Sequence, residues 1–187
     1  MALTHGASSN CKGALLIAVA EVFASQGWNV YRYDLPYRRK RSGGPPSPAN
    51  AADDREGVRE AVLQLRELFS GRVWAGGHSY GGRQTSMAVA EDSDLADGLL
   101  LQSYPLHPPG KPASLRTEHL PRITVPVLFV HGARDPFGTI DEMRSAIALI
   151  PAATKLEVIE NAGHDLGRSP AKTAQRIASA LQSFSAG

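Results

Sequence analysis

Four glycines stand close to one serine in the segment VWAGGHSYGGRQTS, which runs from Val73 to Ser86. Glycine loses more backbone entropy on folding than any other residue, so this density of glycine indicates a backbone path that side chains would block. The residues over 72–75 have the pattern of a short strand, and those over 80–91 have the pattern of a helix. The segment therefore predicts a sharp strand-to-helix turn with Ser79 at its apex.

Strand-like and helix-like patterns alternate along all 187 residues. Short apolar or β-rich runs predict strands, and apolar residues that repeat with a period of about 3.6 predict helices. The predicted strands cover residues 2–4, 29–33, 72–75, 98–102, 127–130 and 156–159, and the predicted helices cover residues 12–26, 54–69, 80–91, 139–150 and 170–184. Such alternation is typical of the α/β class. We expect a single α/β domain over residues 1–187, with a mainly parallel sheet of about six strands flanked by helices.

Two long connections separate these elements. Residues 35–52 carry several glycines and prolines, and this composition predicts a loop without regular structure. Residues 103–126 join two predicted strands, and this segment is too short for a helical lid domain. We therefore expect no lid domain, and an open, shallow site that accepts a small or flexible substrate.

Three residues with complementary chemistry follow predicted strands, where functional residues of an open α/β sheet are found. Ser79 lies in a G-x-S-x-G match after one strand, and Asp135 and His164 follow two later strands. A serine hydroxyl is a weak nucleophile until a base takes its proton; histidine suits that role, and a carboxylate orients the histidine. The chain order serine, aspartate, histidine is the order of nucleophile-elbow enzymes. We predict Ser79 as nucleophile, His164 as general base and Asp135 as the acid behind it.

Each of these residues also has a simpler interpretation. Ser79 alone fits an incidental serine in a tight turn, Asp135 fits a turn or helix-cap residue, and His164 fits a buried structural histidine. Asp165 is a second candidate for the acid, although its place next to His164 predicts a side chain that points away. The agreement of all three residues in order and in placement favours the catalytic interpretation.

The glycine turn after the first strand, Thr4 to Asn10, follows the same edge of the predicted sheet. In a nucleophile-elbow site, one oxyanion donor is the N–H of the residue after the nucleophile, and the second comes from a loop of this kind. We predict the N–H groups of Tyr80 and Ala7 as the oxyanion hole, with Ser8 as the nearest alternative to Ala7.

Six segments together resemble the α/β-hydrolase superfamily. They are HGASSN, DLPYRRKRSGGPPSP, GGHSYGGRQTS, SYPLHPPGKP, HGARDPFG and NAGHDLG. The set is similar to a small, lidless, dienelactone-hydrolase-like branch related to the testis-expressed 30 and NSL-complex subunit 3 hydrolase-like domain. The resemblance runs from about Leu3 to Gly167. It implies an α/β-hydrolase fold with Ser79, Asp135 and His164 as a catalytic triad. Dienelactone hydrolases proper carry a cysteine nucleophile, so Ser79 argues against that activity.

The resemblance also implies one or two strands before the oxyanion loop, whereas only residues 1–4 precede His5 here. A fold with trimmed N-terminal strands would leave the strand over 29–33 at a sheet edge, where another chain can pair with it. A homodimer through this edge is the corresponding expectation. A true start farther upstream is the alternative explanation.

Composition narrows the classes of function. The formal net charge is +2, which provides no general attraction to nucleic acid or to membranes, and we expect neither as a partner. Cys11 is the one cysteine, which excludes an intrachain disulfide and fits a reducing, cytoplasmic location. The apolar run over 14–20 is interrupted by Glu21 and fits a helix better than a signal peptide. No metal-ligand cluster or phosphate-cradling loop is evident, so we expect no metal and no cofactor.

The leading prediction is a serine hydrolase that cleaves a small carboxylic ester or thioester through an acyl-enzyme. Acyl transfer by the same triad and a non-catalytic protein-interaction module on a hydrolase fold are the alternatives. Tyr104, His107 and Arg83 are candidate substrate-binding residues. The basic residues placed near the catalytic edge by chain position are Arg38 to Arg41, Arg83, Lys111 and Arg134. They favour either an anionic substrate or a solvated basic surface.

Overall fold

A computed structural model describes residues 1–185, which form a parallel sheet of six strands in the order β2-β1-β3-β4-β5-β6. The strands are β1 (Ala2–Thr4), β2 (Tyr31–Tyr33), β3 (Trp74–His78), β4 (Gly98–Gln102), β5 (Val127–Gly132) and β6 (Thr154–Ile159). The helices are α1 (Ala14–Ser25), α2 (Pro36–Lys40), α3 (Ala51–Leu68), α4 (Tyr80–Glu91), α5 (Ile140–Ile147) and α6 (Pro170–Ser185), with 3₁₀ turns at Pro48–Asn50 and Leu120–Arg122. This architecture confirms the predicted fold class. Because the strands are parallel, the loops that follow them open at one end of the sheet.

The two faces of the sheet are covered by different helices. α1 and α6 pack on one face, and α3, α4 and α5 pack on the other. Side chains of β4 alternate between these layers: Leu99 and Leu101 belong to the α3–α5 side, whereas Leu100 belongs to the α1–α6 side. Every residue of β4 is buried, as expected for a central parallel strand covered on both faces.

Residues 35–52 contain regular structure that the sequence pattern did not predict. α2 begins at Pro36 directly after β2, and proline suits the first helical position because no N–H is needed there. Tyr37 and Arg38 are buried in this short helix, so the segment belongs to the packed body of the domain. Five helical residues are too few to show the 3.6-residue period, which explains why the glycines and prolines dominated the pattern.

β3 extends farther than predicted. The strand continues through two glycines to His78, three positions beyond the predicted end at residue 75. A Cβ at Gly76 would collide with the carbonyl oxygen of Leu100 on β4, so close approach of two strands requires glycine there. The turn itself falls on Ser79, as predicted.

β2 lies at an edge of the sheet, as predicted. Within residues 1–185 it pairs only with β1, in a parallel register that joins Tyr31 to Ala2 and Tyr33 to Thr4. The other end of the sheet order is β6, so the strands that carry the candidate site lie away from the β2 edge.

Candidate active site

Ser79 lies at the junction of β3 and α4 in a strained backbone conformation. Its φ is 51° and its ψ is −118°, a region that residues with a Cβ rarely adopt. Two backbone hydrogen bonds hold the turn: the Ser79 N–H donates to Gln102 O at 2.8 Å, and the Arg83 N–H donates to Ser79 O at 2.9 Å. The strained turn places the hydroxyl beyond the carboxyl end of β3.

His164 lies in the loop after β6, and its ring faces Ser79. The Nε2 atom of His164 is 2.7 Å from the Ser79 Oγ atom. The ring is packed against Phe137, with 4.2 Å between ring centroids. His78 also holds this loop, because its Nε2–H donates to the His164 carbonyl oxygen at 2.8 Å. The structure therefore brings together two residues that are 85 positions apart in the chain.

Asp135 completes the chain of contacts. The Nδ1–H of His164 donates to the two carboxylate oxygens of Asp135, at 2.8 and 3.0 Å. The Asp135 side chain is fully buried, and the Phe137 N–H donates to it at 2.9 Å. Asp165 instead is exposed and accepts the Gly167 N–H, so it takes no part in this contact. Of the two candidate acids, the structure brings Asp135 to His164.

Two further histidines beside the site are held neutral. Burial lowers the pKa of His78 to about 4, against the opposing effect of its bond to the His164 carbonyl oxygen. Burial also lowers the pKa of His131, whose Nε2–H donates to Gly138 O at 2.9 Å. Neutral neighbours add no positive charge beside the His164 ring, which suits an imidazole that must accept a proton.

The loop over His5 to Ala7 packs directly against the elbow. A Cβ at Gly6 would lie 2.8 Å from the His78 Nδ1 atom and 3.5 Å from the Ser79 Cβ atom, so glycine is required at this approach. Within residues 1–185, the N–H groups of Ala7 and Tyr80 donate to no protein acceptor. The same holds for the N–H of Ser8, so the structure leaves open which loop residue is the second donor.

A buried polar network holds both candidate oxyanion residues, and sequence reasoning missed it. The Tyr37 hydroxyl and the Arg38 Nη2 donate to the Ala7 carbonyl oxygen, at 2.9 and 2.8 Å. The buried Asp54 carboxylate accepts from the Tyr37 N–H at 3.0 Å and from the Tyr80 hydroxyl at 2.7 Å. Burial, and then Asp54, raise the pKa of Tyr80, so this phenol stays protonated and donates.

One sequence signal could have found this network. Asp54 lies four residues before Val58, on the apolar stripe of α3 that continues through Ala61, Val62 and Leu65. A carboxylate on the buried face of a helix needs partners of its own, because an unpaired buried charge is costly. The position of Asp54 was therefore a missed signal for a buried acceptor, although it does not indicate which groups would donate to it.

The other candidate substrate-binding residues lie in the loop after β4. Tyr104 is buried and its hydroxyl donates to Arg116 O at 2.6 Å. His107 is also buried, with its Nδ1 2.8 Å from Pro108 O and its Nε2 3.4 Å from a Glu142 carboxylate oxygen. Protein groups thus occupy the polar atoms of both residues, and their roles in binding substrate stay predictions.

Residues 1–185 contain no helix that is both long and apolar enough to span a membrane. The same residues contain no group of three His, Cys, Asp or Glu side chains that could hold a metal ion.

The strand-to-helix elbow, the parallel sheet and the Ser79–His164–Asp135 contacts define a hydrolase-type architecture. The alpha/beta hydrolase domain family matches residues 1–186, and the chain belongs to this family. Membership confirms the resemblance seen in the sequence at the level of the superfamily. The relation to the testis-expressed 30 and NSL-complex subunit 3 domains stays a prediction.

Solved structures show the same fold at low sequence identity. Est1E from Butyrivibrio proteoclasticus, solved with ferulic acid bound, has a TM-score of 0.78 and 16% identity, covering 100% of this chain and 89% of its own. A dienelactone hydrolase from Anabaena variabilis has a TM-score of 0.73 and 20% identity, covering 96% and 82%. An alpha-beta serine hydrolase homologue from Coxiella burnetii has a TM-score of 0.67 and 14% identity, covering 98% and 83%. At these identities the likeness is one of fold.

Proposed function

We propose that the protein is a serine hydrolase that cleaves small carboxylic esters or thioesters through an acyl-enzyme. One observation carries the proposal: His164 lies between Ser79 and Asp135, with a 2.7 Å contact to the serine hydroxyl and a 2.8 Å contact to the carboxylate. This is the arrangement in which a histidine accepts a serine proton while a carboxylate stabilises the imidazolium that forms.

The geometry accounts for each step of such a reaction. Ser79 Oγ attacks the ester carbonyl carbon as its proton passes to His164 Nε2, and the carbonyl oxygen becomes an oxyanion. The N–H groups of Ala7 and Tyr80 stabilise that oxyanion, each contributing roughly 3 kcal/mol at the transition state. The protonated His164 then gives its proton to the leaving alcohol or thiol. Water, activated by the same ring, releases the acid and restores Ser79.

The fold and the names of related structures support the proposed substrate class. The Est1E and dienelactone hydrolase neighbours carry names that refer to ester or lactone chemistry. The segment between β4 and β5 holds one 3₁₀ turn and no lid domain, which favours small or flexible substrates that need no enclosed pocket.

The first test is covalent labelling of the intact protein with a fluorophosphonate, read by mass spectrometry. A single adduct is expected on wild type, lost in Ser79→Ala and reduced at least about 100-fold in rate in His164→Ala, because both groups are needed to activate the hydroxyl. A folded wild-type protein that takes no adduct would overturn the proposal and favour the interaction-module alternative.

Ser86→Ala is the matched control for this labelling. Ser86 lies in the same helix as the elbow, and its hydroxyl is 2.8 Å from the His119 Nε2 atom. Both residues are buried, and no carboxylate within residues 1–185 bonds to His119, so this pair is expected to be inert. The control should label as wild type does. Product analysis in the presence of added alcohols or amines then separates hydrolysis from acyl transfer.

A further inference from the structure

Most basic side chains near the catalytic edge are satisfied by protein groups or lie in solvent. Arg38 is buried and donates to the Ala7 carbonyl oxygen. Four others bind acceptors at the surface: Arg39 binds Glu60, Lys40 binds Asp53, Arg41 binds the Pro45 carbonyl oxygen and Arg134 binds Asn161. Lys111 is exposed. Arg83 differs from all of them.

Arg83 carries a charge that the chain leaves unpaired. It lies one turn after Ser79 in α4 and is half-buried, and its Nε atom is buried without a partner, as is that of Arg38, whose terminal nitrogens, however, donate to carbonyl oxygens. Within residues 1–185 its guanidinium forms no hydrogen bond of normal geometry and no ion pair, although the Tyr104 hydroxyl lies nearby. A guanidinium is always charged. Removing a charge from water costs several kcal/mol unless a partner group is present.

A second arginine lies on the same side of the site. The Arg116 backbone is held by the Tyr104 hydroxyl and by a bond from its N–H to Leu106 O at 2.8 Å. Its Nη1 donates to Pro105 O at 3.1 Å, and no carboxylate forms an ion pair with it in the described chain. Both arginines border Tyr104, whose hydroxyl lies beside the Arg83 guanidinium and is 2.6 Å from the Arg116 carbonyl oxygen. Burial, and then the charge of Arg83, lower the pKa of Arg116.

The other charged groups around the pair do not neutralise it. Glu118 is exposed and forms no ion pair with either arginine among the described residues. Burial, and then the charge of Arg83, lower the pKa of His119 to about 4, so this ring is neutral. Glu91, on the far end of α4, is held by two arginines of α3, and Arg122 adds a further positive charge near His119.

We propose that Arg83 and Arg116 bind an anionic group of the substrate, a carboxylate or a phosphate, beside Ser79. This inference rests on the proposed ester hydrolysis, for which it names the substrate class. A guanidinium presents paired donors that match a carboxylate or phosphate edge, and the two close cations repel each other less when an anion lies between them. The N-terminus of α4 adds positive potential at the same place.

The test compares two 4-nitrophenyl esters of equal chain length. The glutarate monoester ends in a carboxylate, whereas the pentanoate ester ends in a methyl group. Wild type is expected to favour the glutarate ester in kcat/KM by about 10- to 100-fold. Arg83→Gln is expected to lose most of this preference, because KM rises more for the glutarate ester than for the pentanoate ester. Arg116→Gln should also reduce the preference for the glutarate ester.

A second pair of substrates shows which part of the substrate carries the anion. The acetate ester of 4-hydroxybenzoate has its carboxylate on the leaving group, and phenyl acetate is its neutral counterpart. A preference for the glutarate ester alone assigns the anion to the acyl part, and a preference for the hydroxybenzoate ester alone assigns it to the leaving group. Absence of both preferences in wild type would overturn the inference.

Arg134→Gln is the matched control, because it removes one positive charge from the same edge. Its side chain donates to Asn161 at 2.7 Å and is exposed, so it is expected to leave the anion preference unchanged. Equal losses in Arg83→Gln and Arg134→Gln would mean a general effect of net charge and would overturn the specific site.

A binding measurement that needs no catalysis distinguishes failure of the anion site from failure of the proposed hydrolysis. Titration calorimetry of Ser79→Ala with glutarate and with inorganic phosphate should show binding that Arg83→Gln weakens at least about tenfold. Binding of either anion without ester turnover in wild type would contradict the hydrolase and support the anion site. Ester turnover with neither binding nor preference would contradict the anion site alone. The anion that binds more tightly identifies the chemical class.

Discussion

Arg38 and Arg83 follow different strands of the sheet, β2 and β3, and the protein treats their charges differently. Arg38 follows the edge strand β2, and its terminal nitrogens donate to three backbone carbonyl oxygens, those of Ala7, Arg41 and Gly44. Arg83 follows the Ser79 turn; its Nε, like that of Arg38, is buried without a partner, and its guanidinium forms no ion pair within residues 1–185.

The two arginines show two uses of the same type of side chain, one structural and one available for binding. An arginine whose donors are taken by backbone carbonyls connects loops, and here it holds the loop that carries Ala7. An arginine of comparable position whose donors are unused is available to a ligand. By their positions in the sequence, both residues were predicted to be basic groups near the catalytic edge. Only the hydrogen-bond acceptors that the structure places around them distinguish one from the other.

The largest expected effect comes from removing the Arg38 donors. Arg38→Met keeps much of the buried aliphatic stem but leaves the Ala7 carbonyl oxygen with fewer donors. Because the loop that carries the Ala7 and Ser8 N–H groups is then held by Tyr37 alone, kcat should fall by about 10- to 100-fold, and equally for neutral and anionic esters. Steady-state kinetics with the two 4-nitrophenyl esters would measure this, in contrast to the selective loss expected in Arg83→Gln.

Arg39→Met is the control for that variant, since Arg39 is an exposed neighbour in the same short helix. It should retain wild-type kinetics. Circular dichroism and thermal unfolding must show that Arg38→Met is folded. A folded Arg38→Met with unchanged kcat would show that the Ala7 loop does not depend on Arg38, and the comparison with Arg83 would lose its basis.

A smaller effect is expected from Asp54, which connects the Arg38 side of the site to Tyr80. Asp54→Asn keeps the size of the side chain but removes the charge that accepts the Tyr37 N–H and the Tyr80 hydroxyl. We expect kcat to fall by about tenfold and the free energy of unfolding to fall by about 1–3 kcal/mol. Kinetics with the neutral ester and urea unfolding measure the two quantities.

Asp53→Asn serves as the comparison for Asp54→Asn, because Asp53 is the preceding residue and is exposed. Its ion pair with Lys40 lies at the surface, where such pairs contribute little. If the two substitutions had equal effects on kcat, the buried network would not position Tyr80.

The smallest expected effect is a change in the pH dependence of stability on the Arg83 side. The folded-state pKa of His119 is lowered from 6.5 to about 4 by burial and then by the charge of Arg83. Between these values the unfolded chain binds a proton that the folded chain does not, so the free energy of unfolding falls as pH falls from about 6.5 to 4. The loss reaches roughly 3 kcal/mol for this group.

Arg83→Gln should reduce this loss by about 0.5 kcal/mol, because one cause of the lowered pKa is removed and the folded-state pKa moves toward 6.5. Urea unfolding at several pH values between 4 and 6.5 would measure the slope. Arg134→Gln should show the wild-type slope. A wild-type slope in Arg83→Gln as well would place its charge too far from His119 for the arrangement described above.

Much of the fold could be predicted because strands and helices leave local patterns. The strand over Gly98–Gln102 and the helix over Tyr80–Glu91 have the predicted limits, since a continuous apolar run and a 3.6-residue period are strong signals. β3 was predicted too short, because its glycines resemble a turn when the neighbouring strand is not seen. α2 was missed because it is too short to show a period.

The sequence by itself determined the parallel architecture, the position of the elbow and the three residues that meet there. These depend on local patterns and on the rule that parallel strands end at one edge, which brings Ser79, Asp135 and His164 to the same place. The tertiary structure alone decided which acid contacts His164, which arginine is satisfied and which is not, and that Asp54 supports the loop and the helix around Ser79. Those outcomes depend on contacts between segments far apart in the chain, where burial makes every unpaired polar group costly and so selects the partners.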